Sequence, residues 1–156
     1  MNEEENYLTQ EKFNELTGEL AHLKTERRRE IAEQLEYARS LGDLSENAEY
    51  QEARDLQAAT EERIRQIEEL LSRAQIISPN KKGNTVTLGS IVSIQKQGEK
   101  EEYTYEIVGS AEANMQERKI SHLSPLGAAM MGEKKGGVFE FETPKGKQKY
   151  KITSVK

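Results

Sequence analysis

The 156-residue chain has no cysteine and no tryptophan, only three prolines and two histidines, and 6% aromatic residues. Without cysteine there is no disulfide framework, no thiol nucleophile and no thiolate metal site. Both histidines, His22 and His122, stand apart from any cluster of ligand-type residues, so zinc-type coordination and His-assisted nucleophilic catalysis have no support. No stretch approaches the roughly 20 apolar residues that span a bilayer. The opening Met1-Asn2-Glu3-Glu4-Glu5 is acidic where a secretory leader would be basic, which predicts a cytoplasmic protein with no membrane partner. With 34% hydrophobic and 33% charged residues, one large buried core is excluded in favour of a solvated rod joined to a small domain.

Charge is distributed unevenly. Residues 1–78 carry 10 Lys and Arg against 19 Asp and Glu, a net of −9, whereas residues 79–156 carry 13 against 9, a net of +4. An acidic first half cannot grip a nucleic acid along its length, because phosphate binding needs a continuous basic surface. Its one basic cluster is Lys24, Arg27, Arg28 and Arg29. Taken alone, that cluster reads as a solvated helix face partnered by neighbouring glutamates.

Two helical seams dominate the first half. Thr9 is a candidate N-cap, with Leu8 and Phe13 placed as a hydrophobic staple. The first seam follows as Phe13, Leu16, Leu20, Leu23, Arg27, Ile31, Leu35 and Ala38. Its run of four-residue steps around Arg27 resembles a stutter. The second seam is Ala53, Leu56, Thr60, Ile64, Ile67, Leu71 and Ala74, with Pro79 as the expected stop. Pairs such as Leu20 with Leu71 and Ile31 with Thr60 have residue numbers adding to a nearly constant 90 or 91, which is the signature of antiparallel arms folding back at Ser45-Glu46. About 35 residues per arm reach about 50 Å. Residues 1–78 are therefore predicted to form a coiled-coil hairpin, followed by a linker at 79–84.

The remaining residues, 85–156, change period. Alternation over Ser90–Gln95 and Tyr103–Val108 predicts two strands around a turn at Gln97-Gly98-Glu99. Leu126–Met131 suits one or two helical turns ended by Gly132. Val138–Glu142 and Tyr150–Thr153 flank the turn at Thr143-Pro144-Lys145-Gly146 as a hairpin. The fold class is thus α+β: a long helical hairpin and then a small antiparallel sheet domain with a short helix.

At the predicted tip, Gly42-Asp43-Leu44-Ser45-Glu46-Asn47-Ala48-Glu49-Tyr50, two carboxylates stand on a short loop. Asp43-Leu44-Ser45-Glu46 has the form of a capping box. Asp43 and Glu46 also offer hard oxygens to Mg²⁺, a cation that commonly takes one or two protein carboxylates and completes its shell with water and phosphates. Two carboxylates alone make an incomplete site, so a partner must supply the rest.

The tip sequence from Leu41 to Tyr50, with Glu62-Arg63-Ile64, Ile120-Ser121-His122-Leu123-Ser124-Pro125-Leu126-Gly127 and Thr143-Pro144-Lys145-Gly146 in the same order, resembles the Gre family of bacterial transcript cleavage factors, and its GreA type most. The likeness extends over essentially the full length. It implies an N-terminal coiled coil that enters the secondary channel of RNA polymerase and an FKBP-like C-terminal domain that docks at the channel rim. The implied elongation factor is not an enzyme alone; it stimulates the polymerase's own cleavage of backtracked RNA. By the same resemblance, Asp43 and Glu46 help hold a catalytic Mg²⁺ shared with the polymerase, with no cofactor bound to the free, monomeric protein. Lys24, Arg27, Arg28 and Arg29 contact RNA near its nascent 3′ end, and Ser121, Ser124 and Pro125 dock on the polymerase. Departures from the family pattern at Arg29, Leu41 and Glu62 remove no tip carboxylate. Two alternatives follow from the same architecture: a Gre-like inhibitor that blocks the channel without cleavage, and a prolyl isomerase, which would need an aromatic-lined pocket.

Overall fold

A computed structural model describes residues 6–78 and 83–156. Backbone contacts divide the chain into two compact units, Phe13–Arg73 and a second made of Met1–Lys12 with Ala74–Lys156. The sequence reading assigned 1–78 to the hairpin. In the structure the first residues group instead with the C-terminal residues, for a reason that local pattern does not contain: Asn6–Leu8 (β1) pairs in parallel with Ala74–Ile76 (β2). Leu8, the expected staple residue, lies in this strand and is fully buried.

In the hairpin unit, Gln10–His22 (α1) continues through a five-residue π-helical segment, Leu23–Arg27, into Arg28–Ser40 (α2). A π turn accommodates one extra residue per turn, and it falls where the seam advances by successive steps of four. The returning helix, Ala48–Ser72 (α3), ends at Ser72, earlier than predicted, and Ala74 belongs to β2. The expected stop at Pro79 and most of the expected linker lie outside the described residues. None of the predicted seam residues is exposed. Ile31, Leu35 and Ala53 form a buried cluster with Tyr50 and Leu56 packed against it. Across the arms, the Arg28 guanidinium donates to both Glu61 carboxylate oxygens at 2.9 Å, and Arg63 grips Glu19 in the same forked manner at 2.8 and 3.0 Å. Such exposed pairs contribute about 0–1 kcal/mol each, so the seam carries the stability.

In the other unit, five strands run in the order β5-β4-β3-β7-β6. They are Ile91–Lys96 (β3), Glu102–Val108 (β4), Lys119–Ser121 (β5), Val138–Thr143 (β6) and Gly146–Val155 (β7), with Pro125–Met130 as α4. All neighbours are antiparallel except β4 and β5, which are parallel. That pair departs from the all-antiparallel expectation because the chain crosses from β4 to β5 through two 3₁₀ turns, Ser110–Glu112 and Met115–Glu117, instead of a tight hairpin. Val86, Val92, Ile94, Ile107, Ile120, Met130, Phe139 and Ile152 form the core; burying each large side chain is worth about 1.5–3 kcal/mol. In β3, Val92 and Ile94 are buried and Ile91 is exposed.

Candidate functional site

The fold-back loop between α2 and α3 is built by its own short-range hydrogen bonds. Gly42 takes φ +114°, open to glycine and strained for other residues. The Asp43 Oδ1 then accepts from the Ser45 amide at 3.0 Å and from the Ser45 hydroxyl at 2.8 Å. The Ser45 hydroxyl, and after it the Ser45 amide, hold the Asp43 carboxyl below the ordinary aspartate range, since donors favour the ionised form.

The capping box expected from Asp43 and Glu46 does not form. Asn47 caps α3 instead: its Oδ1 accepts from the Tyr50 amide at 3.0 Å, while its Nδ2 donates to the Ala38 carbonyl at 2.6 Å. One amide thus starts the second arm and satisfies a carbonyl near the end of the first. Both predicted carboxylates are thereby released from helix capping. Glu46 is exposed and, among the described residues, has no hydrogen-bond or ion-pair partner. Asp43, Glu46 and Glu49 line one shallow concavity with Leu41, Asn47 and Ala48. Leu41 and Leu44 are exposed beside them. Sequence reasoning missed Asn47, although an Asn directly before a helical run is a recognisable cap signal.

Among the described residues no group of three or more His, Cys, Asp and Glu is placed to hold a metal. The tip fits a partial donor set: Glu46 is unengaged, and Asp43 commits one of its two oxygens to Ser45. That leaves two exposed carboxylates with uncommitted oxygens, and Mg²⁺ commonly takes one or two carboxylates from protein.

The basic cluster is fully engaged with glutamates. Lys24 pairs with Glu68, Arg27 with Glu30 at 3.0 Å, Arg28 with Glu61 and Arg29 with Glu33 at 3.0 Å. In the other unit, Ser121, Ser124 and Pro125 come together on one apolar groove of about 440 Å³, lined also by Met115, Ile120, Leu126, Phe141 and Pro144. Ser124 caps α4 by accepting from the Gly127 amide at 3.1 Å, and its hydroxyl donates to the Ser121 carbonyl at 2.7 Å. Phe141 is the one aromatic residue lining this groove; Phe139, Phe141 and Tyr150 pack against one another. His122 is half-buried, with its Nδ1 3.4 Å from the Val108 carbonyl oxygen, and His22 lies 3.4 Å from Glu26.

Residues 6–76 match the family described as Transcription elongation factor, N-terminal, and residues 80–156 match Transcription elongation factor, GreA/GreB, C-term. The chain belongs to the GreA/GreB family. Family relatives named Transcription elongation factor GreA include one from Clostridium acetobutylicum, 44% identical over 100% of both chains. Another, from Roseiflexus castenholzii, is 44% identical over 99% of each chain. A crystal structure of GreA factor homolog 1 of Thermus thermophilus is 30% identical, covering 97% of this chain and 99% of that one, with a TM-score of 0.44. Among the described residues no helix is long and apolar enough to cross a membrane.

Proposed function

We propose that this member of the family rescues arrested transcription by presenting Asp43 and Glu46 to the active site of a multisubunit RNA polymerase through its secondary channel, where the polymerase then hydrolyses its own backtracked RNA. The observation that carries this reading is the release of both carboxylates from helix capping: Asn47 caps α3, Asp43 keeps one oxygen free of Ser45, and Glu46 has no partner among the described residues. Asp43, fixed in direction by Ser45, and the unengaged Glu46 would together hold a Mg²⁺ whose remaining ligands come from the polymerase and RNA phosphates. Such a cation supplies Lewis-acid activation of a water. The protein's own contribution is to present both carboxylates on one short loop, with Asp43 held ionised and fixed in direction by its two Ser45 donors.

Ser121, Ser124 and Pro125 form a preorganised edge on an apolar groove, suited to docking at the channel rim. Lys24, Arg27, Arg28 and Arg29 would meet extruded RNA only by exchanging a glutamate for a phosphate, which makes their part auxiliary. A channel-blocking inhibitor is not favoured, since the full-length relatives carry the elongation-factor name.

The test is cleavage of a stalled transcription complex by the purified protein and by Asp43→Asn and Glu46→Gln. Each 1.36 kcal/mol of lost barrier stabilisation is about tenfold in rate. Stimulated cleavage should fall by orders of magnitude with polymerase binding retained, and raised Mg²⁺ should restore part of it. Unaltered cleavage per bound molecule would remove the reading.

A further inference from the structure

The two edges of the five-stranded sheet are finished differently. At β5 the outward backbone groups are taken: Asn114 and Lys119 exchange two backbone bonds at 2.8 and 2.9 Å, and the Ser121 carbonyl accepts from the Ser124 amide at 3.1 Å and from its hydroxyl at 2.7 Å. At β6 they are not. Among the described residues that strand pairs with β7 alone, and the Ile152 amide donates to the Gly137 carbonyl at 2.9 Å, which fixes the phase of the ladder. Phe139 and Phe141 therefore exchange bonds with Tyr150 and Gln148, while Val138, Glu140 and Glu142 turn their amides and carbonyls to the free side. Among the described residues no backbone or side-chain group bonds to them there. A row of this kind is a template for another strand.

The two faces of β6 define what an added strand must carry, because side chains opposite one another on neighbouring strands share a face. On one face Glu140 and Glu142 are exposed. Glu140 holds Lys149 of β7 at 3.3 Å, and Glu142 has no ion-pair partner among the described residues. On the other face Phe139 is buried and Phe141 half-buried, and Phe141 lines the apolar groove with Leu126 and Pro125. Strand β7 already answers this pattern from the inner side: Lys147 and Lys149 stand opposite Glu142 and Glu140, with Gln148 and Tyr150 opposite Phe141 and Phe139. A second copy of β6 does not. A two-fold antiparallel pairing centred on Glu140 or Phe141 sets glutamate against glutamate, which is destabilising.

We propose that the free edge of β6 is a strand-addition site for an extended segment of another protein in which basic and apolar residues alternate. Main-chain bonds to Val138, Glu140 and Glu142 supply the affinity, the two glutamates select lysine or arginine on one face, and the groove takes an apolar side chain on the other. A helix does not answer the same features, since its own backbone bonds leave none for the edge. The site lies wholly within one compact unit and does not depend on the cleavage reading.

The test uses the full chain and a synthetic peptide with the sequence of residues 146–153, which carries the alternation of β7, beside the same peptide with Lys147, Lys149 and Lys151 replaced by glutamate. Fluorescence anisotropy of labelled peptide gives affinity, and residue-resolved amide exchange gives the place of binding. The lysine peptide should bind about tenfold more tightly than the glutamate peptide, less so as salt rises, and should slow exchange at the Val138, Glu140 and Glu142 amides. Glu140→Lys combined with Glu142→Lys should invert the preference between the peptides. Val138→Pro removes one outward donor at the first residue of an edge strand, where proline is tolerated, and should weaken lysine-peptide binding roughly threefold to tenfold. Thermal midpoints report whether each variant folds; if neither does, the exchange pattern of the unsubstituted chain decides. No binding of the lysine peptide, equal affinity for the two peptides, or binding that leaves those three amides unprotected would overturn the proposal. So would protection of the three that grows with protein concentration in the absence of peptide, since the occupant would then be a second copy of this chain.

Discussion

At the scale of single residues, the tip separates stability from chemistry. Glu46 has no partner among the described residues, so Glu46→Ala should leave the thermal midpoint essentially unchanged, within the roughly 0.5 kcal/mol typical of surface substitutions, while cleavage stimulation is lost. Calorimetry beside the stalled-complex assay checks both halves. Ser45 acts on Asp43 through two donors to one oxygen. Removing the hydroxyl in Ser45→Ala should raise the Asp43 titration midpoint toward the ordinary aspartate value, as read by carboxyl NMR. Because the folded-state value is depressed, the stability tied to this contact is present above the ordinary aspartate range and is lost as pH falls through the depressed value. Near neutrality Asp43 stays ionised in both proteins, so any change in cleavage there reports its direction and not its charge. A midpoint that does not move would show that the Ser45 amide alone suffices.

At the scale of elements, Asn47 joins the two arms, and Asn47→Ala should cost about 1–2 kcal/mol through the lost cap and the lost bond to Ala38, measurable as a lower denaturation midpoint. The elements that repeat a period were legible in the sequence: seams returning every three or four residues give α1 to α3, and alternation gives β3, β4, β6 and β7. The tip carboxylates were legible through the motif around them, but their freedom from capping was not, since Asp43 and Asn47 both precede a helix and only geometry decides between them. The three-residue strands β1 and β2 carry too few positions to show a period, and their pairing joins residues distant in sequence. Glu112, whose buried carboxylate accepts from the Thr9 amide and hydroxyl, was illegible for the same reason. Nothing near it distinguishes a solvated glutamate from a buried one whose partner is Thr9, and charged residues are rarely buried unless paired.

For the molecule as a whole, docking and chemistry should respond to different substitutions. Pro125→Asp sets a carboxylate into the apolar groove; it should raise the half-saturating concentration by about tenfold, equivalent to about 1.4 kcal/mol, with the cleavage rate recovering at high factor concentration. Tip variants should do the reverse, and titrating factor against stalled complexes tells the two apart. The pairing of β1 with β2, and of Thr9 with Glu112, also makes the hairpin an insertion within the unit that holds both ends of the described chain. During synthesis β1 is made first, yet it waits for β2, and Thr9 waits for Glu112 across 103 residues. At roughly 5–20 residues per second, that is on the order of 5–20 s on the ribosome. The two arms of the hairpin can pair within that interval, because helices form in about a microsecond. A nascent chain halted before Ala74 has emerged should therefore carry a protease-resistant hairpin beside an N-terminal strand still open to cleavage, and synthesis of the later segment would then protect that strand.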